Sequence, residues 1–321
     1  MTDVVVVGSY NHDHVWRTPR FPVPGETRLG EFFAGPGGKG FNQAVAAARQ
    51  KVRTAFIAAL GADAIGDGAV ALAQGEGIET RIERHHDAAT GTAAILLDAS
   101  GQNLIVVGPG ANLRLSVAHV EAQAHLIGTA RVLVTQHEVN PVATRRALEI
   151  ARAAGTLTLH NPAPPLHDED GGLLDRVDLL TPNETEFAHL LARCTDARVD
   201  ADALADLGDE VLHALCRRLG VPTLVLTLGA RGVFVSHDAD EMRGDTAACY
   251  RVPAEAVQVR DTTGAGDAFS GSLAAALCFA ANRPFRDAVQ HANRVAGLSV
   301  ETPGAALAMP TRAAVSSRFD R

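Results

Sequence analysis

Asp261-Thr262-Thr263-Gly264-Ala265-Gly266-Asp267 runs directly into a small-residue stretch whose spacing predicts a helix over Gly266–Ala280. Glycines let the backbone approach a ligand and turn several N–H groups toward it. The helix N-terminus adds partial positive charge, so the segment suits an anion. A carboxylate at that place, Asp267, repels phosphate. It has a use there if it faces an attacking hydroxyl beside the phosphate and accepts its proton, which is the combination phosphoryl transfer needs. A first-turn aspartate that merely satisfies the helix dipole would read the same in isolation.

A second glycine segment, Gly35-Pro36-Gly37-Gly38-Lys39-Gly40-Phe41-Asn42-Gln43, also leads into a small-residue helix. Gly37 and Gly38 allow close backbone approach, and Lys39 and Asn42 can hydrogen-bond hydroxyl groups. It is not a Walker A loop, because Gly40 follows Lys39 where that motif needs Ser or Thr.

Around these segments, short apolar runs alternate with helical patterns. Strands are predicted at Val4–Val7, Ala55–Leu60, Val132–Thr135, Thr156–Leu159, Asp178–Leu180, Thr223–Thr227 and Val233–Val235. Further helices are predicted at Phe41–Arg49, Gly66–Gln74, Val117–Ile127, Val142–Ala154, Glu184–Leu191, Ala203–Leu219 and Pro284–Val300. Runs of Val, Leu and Ile without polar alternation suit a parallel sheet covered on both faces, and the alternation implies right-handed crossovers. The fold class is therefore α/β, with a mostly parallel central sheet and helices on both faces. Two regions break the rhythm. Arg28–Ala34 reads as a strand with no helix near it, and Thr92–Leu97 and Asn103–Val107 flank a turn at Asp98–Gly101. These segments, near 13–35 and 90–110, are expected to form a small β lid within one domain spanning 1–321.

Ligands of open parallel sheets bind beyond the carboxyl ends of the strands. Polar residues collect there: Asn11 and Asp13, Glu138, Asn161, Asn183 and Glu186, Thr227 and Gly229, and Asp261 with Asp267. One such residue would mean little, since polar residues cap helices in every α/β protein; their recurrence at strand after strand is a stronger signal.

The bulk numbers agree. With 46% hydrophobic and 21% charged residues the chain can build a large core. Its formal net charge of -8 argues against nucleic-acid binding. Cys194, Cys216, Cys249 and Cys278 form no C-x-x-C pair and read as reduced thiols. No basic-then-apolar leader precedes Val4, and the apolar runs are too short for a bilayer. The expectation is a cytoplasmic protein with no membrane partner.

Taken together, the two glycine segments resemble the paired signatures of the ribokinase-like (PfkB) carbohydrate kinases. The resemblance runs along nearly the whole chain. Gly8–Asp13, Phe21–Thr27, Gly37–Ala44, Asn161–Pro164, Thr181–Glu186, Thr227–Gly232 and Asp261–Asp267 are each similar to a family motif, in family order, most like the ribokinase branch. The resemblance implies a ribokinase-like three-layer fold and transfer of the ATP γ-phosphate to a sugar hydroxyl, with D-ribose as the leading acceptor. Relatives acting on nucleosides, fructose, deoxyribose or 2-keto-3-deoxy acids are the alternative. By resemblance, Asn11, Asp13, Gly38, Lys39, Asn42 and Glu138 hold the sugar. Asp267 is the base, and Gly264, Ala265 and Gly266 donate N–H groups to the moving phosphate. Asn183 and Glu186 organise Mg²⁺ and its waters, Glu186 through water. Thr227, Gly229, Gly232, Gly266 and Asn293 contact ATP. A monovalent cation, K⁺ in the usual case, is implied at Asp261, Thr263, Ser299, Thr302 and Gly304. Ala308 stands where the family often has serine. A homodimer through the lid is also implied.

Other features carry less. His12 and His14 alternate on an extended segment, so they share one face while Asp13 points to the other, and no metal site is expected there. Trp16 is either a cover for the substrate or a lid core residue. Gly8-Ser9-Tyr10 after the first strand departs from G-x-G-x-x-G, which argues against a dinucleotide-binding dehydrogenase.

Overall fold

In the computed structural model, which describes residues 2–165, 172–279 and 283–320, the run Val4–Val7 forms a completely buried strand, β1. Its side chains alternate between two cores. Val4 and Val6 join one, and Val5 and Val7 join the other. That is why the run shows no polar alternation.

After β1 come β2 (Asn11–Arg17), β3 (Glu31–Gly37), α1 (Lys39–Arg49), β4 (Thr54–Gly61), α2 (Ala64–Gly75), β5 (Glu79–His85), β6 (Thr92–Leu97) and β7 (Asn103–Gly108). The middle of the chain holds α3 (Val117–Ala122), α4 (Ala124–Thr129), β8 (Val132–Thr135), α5 (Pro141–Ala154), β9 (Leu157–His160), β10 (Leu179–Leu180), α6 (Glu184–Cys194) and α7 (Asp209–Arg217). It closes with β11 (Thr223–Thr227), β12 (Val233–His237), β13 (Cys249–Val252), α8 (Ala265–Phe279), α9 (Phe285–Ser299) and α10 (Arg312–Phe319).

Among the described residues the main sheet has nine strands in the order β13-β12-β11-β10-β9-β8-β1-β4-β5. It is parallel from β11 to β5, with β12 and β13 added antiparallel at one edge. Residues of α1, α2, α8, α9 and α10 build the core on one face, and α3 to α7 build the other. Helix ends are set by local chemistry. Asn140 caps α5 through Val142 N, Pro141 opens it, and Gly155 ends it with φ 76°.

The lid is a separate four-stranded sheet, β3-β2-β6-β7. It differs from the expectation in two respects. Its first predicted strand lies three residues later, at Glu31–Gly37, and Asn11–Arg17 is a full strand paired to both β3 and β6. The edge strands β5 and β13 of the main sheet were also not expected. The predicted helix Val117–Ile127 breaks at Gln123 into α3 and α4. Of Ala203–Leu219, the first part is a 3-10 turn, and the α-helix starts only after Gly208. Ala280, the expected end of the 266–280 helix, lies outside the described residues.

Candidate active site

The β1–β2 turn, the N-terminus of α1 and the N-terminus of α8 meet beyond the carboxyl ends of β1, β8, β9 and β10. Glycine is needed at the first junction for packing. Gly38 has φ 87°, and a Cβ there would lie 2.6 Å from Asn11 N. A Cβ at Gly40 would lie 2.5 Å from Ser9 N, and one at Gly37 would overlap the Asp13 carboxylate. These glycines therefore seat α1 against β1–β2, a role beyond the substrate approach read from the sequence. Gly266 differs, since nothing lies within 4 Å of its missing Cβ.

Asp267 is buried at the start of α8. Its Oδ2 accepts from Asn42 Nδ2 and its Oδ1 from Gln43 Nε2, both at 2.9 Å. Burial pushes the pKa of its carboxyl upward and Glu138 adds to this, while Lys39 and the two amides work against it. Burial would lower the Lys39 ammonium, but Asp267, Glu138 and Glu186 around it hold it above its usual value. Glu138 Oε2 accepts from Ser9 Oγ at 2.5 Å and from Lys39 N at 2.9 Å. Asp13 descends from the lid into the same space. Burial first, then the charges of Glu138 and Asp267, push its carboxyl up to about 7. Asn11 is held by Asn112, whose Nδ2 donates to Asn11 Oδ1 at 2.9 Å. The structure thus gathers Asn11, Asp13, Lys39, Asn42, Glu138 and Asp267 around one space. Asn42 Oδ1 is buried there without a protein partner among the described residues.

A cavity of about 130 Å³ lies beside this cluster, lined by Lys39, Glu186, Thr227 and Gly264–Asp267 among others. It shares Asn183, Thr227, Thr262, Ala265 and Gly266 with a larger, mainly apolar cavity of about 640 Å³, a size ordinary for a small-molecule site. Gly229, Gly232, Val257 and Asn293 line the larger one. Asn183 and Glu186 form a capping box at the start of α6, and Glu186 is buried, which raises its carboxyl. Asn293 Nδ2 donates to Pro253 O at 2.7 Å.

The residues expected around a monovalent cation also converge. Asp261 Oδ1 accepts from Thr263 N and Oγ1, and its Oδ2 accepts from Gly304 N at 2.9 Å. Asp261 N donates to Val300 O at 3.2 Å, which brings the Ser299–Thr302 turn beside the anion loop.

His12 and His14 do share a face, with ring centroids 5.0 Å apart. His14 stacks toward Trp16 and Phe32, on the face of β2 opposite to Asp13. Trp16 therefore does not cover the space that Asp13 enters. Sequence reasoning missed Gln43, Gln136, Asn112 and Ser9 as parts of the site. Gln43 carried a signal, since a glutamine in a helix of small and apolar residues must find polar partners if buried.

A family model described as pfkB family carbohydrate kinase matches residues 1–312. A ribokinase from Mus musculus is 36% identical over 96% of this chain and 91% of its own length. One from Haemophilus influenzae is 38% identical over 96% and 95%. The solved structure of Arabidopsis thaliana ribokinase complexed with ribose and ATP superposes with a TM-score of 0.82 at 28% identity, covering 99% of this chain and 98% of that one.

Proposed function

The chain belongs to the pfkB family of carbohydrate kinases, and on that premise we propose that it transfers the γ-phosphate of ATP to D-ribose, giving ribose 5-phosphate. The observation that carries the mechanism is Asp267: a buried carboxylate at the mouth of a glycine-rich helix N-terminus, beside a lysine and within a cluster of hydroxyl-binding groups. In this reading the sugar lies among Asn11, Asp13, Gly38, Lys39, Asn42 and Glu138. Asp13 and Glu138 accept from hydroxyls, and Asn42 Oδ1 gains the partner it lacks. Asp267 takes the proton of the attacking hydroxyl. The N–H groups of Gly264, Ala265 and Gly266, with the α8 dipole, stabilise charge on the transferring group. The apolar cavity takes the adenine, bordered by Thr227, Gly229, Gly232 and Asn293, with Asn183 at the phosphate end. ADP release that depends on added D-ribose tests this reading; no release with any sugar would end it.

Glu186 suits the water shell of a Mg²⁺ ion. It is a hard oxygen donor, and its Oε2 accepts from Asn183 N at 2.9 Å. Mg²⁺ bound with ATP would neutralise phosphate charge. The carbonyl-rich turn formed by Asp261, Thr263, Ser299, Thr302 and Gly304 suits a monovalent cation such as K⁺, which would brace the anion loop. Turnover is expected to rise when K⁺ replaces a bulky organic cation at constant ionic strength. Equal rates in the two salts would remove the cation from the account.

The chain acts as one kinase unit over 1–321, since the lid supplies Asp13, and it pairs with a second copy through the lid. All six residues of β7 are exposed at the sheet edge, Leu104, Ile105, Val106 and Val107 among them. An uncovered apolar edge strand of this kind invites pairing. Light scattering at micromolar concentration is expected to give a dimer mass, and Val106→Lys to lower it; a monomer mass for the parent chain would contradict this. Among the described residues no helix is long and apolar enough to cross a membrane. ATP use and the free thiols support a cytoplasmic location, which fractionation would overturn by finding the chain elsewhere.

A further inference from the structure

The amides that hold Asp267 are themselves held. Gln43 Nε2 donates to Asp267 Oδ1 at 2.9 Å and to Asn161 Oδ1 at 3.1 Å. Gln43 Oε1 accepts from Gln136 Nε2 at 2.7 Å. Asn161 Nδ2 donates to Thr181 O at 2.9 Å. Gln43 is 0% exposed, Gln136 1% and Asn161 5%. The chain of bonds ties α1 and α8 to the ends of β8, β9 and β10.

This network has one polarity. The Thr181 carbonyl can only accept, so Asn161 turns its NH₂ toward it and its oxygen toward Gln43. Gln43 must then present its NH₂ to Asn161 and to Asp267. Gln136 supports the same choice from behind, its Nε2 donating to the Gln43 oxygen while its own Oε1 has no partner among the described residues. A flipped Gln43 would set its oxygen against two acceptors and its NH₂ against another NH₂, which is costly in a buried site.

We propose that Gln43 is a positioning residue that keeps Asp267 ionised and aimed at the substrate hydroxyl, with Asn161 fixing the direction in which Gln43 donates and Gln136 bracing the Gln43 oxygen. The inference rests on reading Asp267 as the base. Donors to a carboxylate favour its charged form and so oppose the effect of burial. The other charged groups facing Asp267 are Lys39 from α1, Glu138 after β8, Asp13 from β2 and Glu186 from α6. Lys39 favours ionisation and the three carboxylates oppose it, so a neutral donor at Gln43 tips a contested balance. Both Gln43 hydrogens are committed within the protein. Asn42 differs, since its buried Oδ1 is free for a ligand. Gln43 therefore acts on turnover and its pH dependence, not on sugar affinity.

The test is the pH profile of turnover for Gln43→Met, which removes the donor and nearly keeps the volume. Loss of a bond to the charged form raises the pKa of Asp267, making it a weaker acid. The acidic limb is thus expected to move to higher pH by about one unit. Turnover at neutral pH should fall about tenfold, with KM for sugar and ATP changed less than about threefold. Gln136→Met removes only the strut and should move the limb the same way by less. A parental limb in Gln43→Met, or a raised KM with unchanged kcat, would overturn the proposal. If Gln43→Met does not fold, the Gln136→Met profile decides, and an unmoved limb there overturns it. Asp267→Asn measured alongside separates the two claims. Turnover retained in Asp267→Asn defeats the base assignment itself, whereas an inactive Asp267→Asn with an unmoved Gln43→Met limb defeats only the positioning role.

Discussion

Asp267→Asn is expected to lower turnover roughly 10²- to 10⁴-fold, the usual cost of losing a general base. The substitution keeps the shape and removes both the charge and the proton acceptor. Asp267 accepts from one NH₂ on each oxygen, Asn42 on one side and Gln43 on the other. An asparagine must therefore set its own NH₂ against one of them, and the amide network will shift locally. Sugar affinity should survive in part, because the other hydroxyl-binding groups are untouched. ATP affinity should hold or rise, since a repulsive charge beside the phosphates has gone. Calorimetric titration with ATP checks that the site is still formed while turnover is measured. A variant that binds ATP normally and turns over within a few-fold of the parent would show that another group takes the proton.

Asp13→Ala is expected to split stability from function. Asp13 is a buried acid facing Glu138 and Asp267, with its carboxyl raised to about 7. A carboxyl that is harder to ionise when folded favours the native state at low pH, and that advantage is lost as pH rises through about 7. Above that point its charge opposes folding, so removing it should raise the melting temperature of the sugar-free protein, most clearly at alkaline pH. On the proposed function, the same change removes an acceptor of sugar hydroxyls. The kcat/KM for sugar should fall roughly 10²- to 10³-fold, because bonds to charged groups are strong and their lost partners stay buried. A variant with lower stability and parental kcat/KM would reverse both halves of this account. Such a trade, with stability given up for a preformed binding site, is common in active sites.

The sequence spoke clearly where residue type alone carries the physics. β1, β8 and β11 lie where their uninterrupted apolar runs placed them, because strands buried on both faces must be apolar throughout. Asp267 drew notice because a carboxylate after a glycine-rich anion loop is electrostatically odd, but in isolation it read equally as a first-turn aspartate, and the family resemblance supplied its role. β2 was not legible as a strand: Asn11-His12-Asp13-His14-Val15-Trp16-Arg17 has little apolar alternation, and its form comes from pairing with β3 and β6. β5, Glu79-Thr80-Arg81-Ile82-Glu83-Arg84-His85, is polar because it lies at a sheet edge. The break at Gln123 was not legible either, since nothing in 117–127 ends a helix by itself. Gln136, and the partners of Gln43, stayed hidden for a different reason. Neutral amides carry no charge pattern, and their role exists only once α1, α8 and the ends of β8 and β9 come together.

Competition among acceptors tests the central claim most directly. The protein would be given limiting Mg²⁺-ATP with equal concentrations of D-ribose, 2-deoxy-D-ribose, D-fructose and inosine, and the phosphorylated products resolved by ³¹P NMR. The account predicts ribose 5-phosphate as the dominant product, because Asp13 and Glu138 are placed to accept from hydroxyls of a free pentose. Preferential phosphorylation of inosine, deoxyribose or fructose would contradict it.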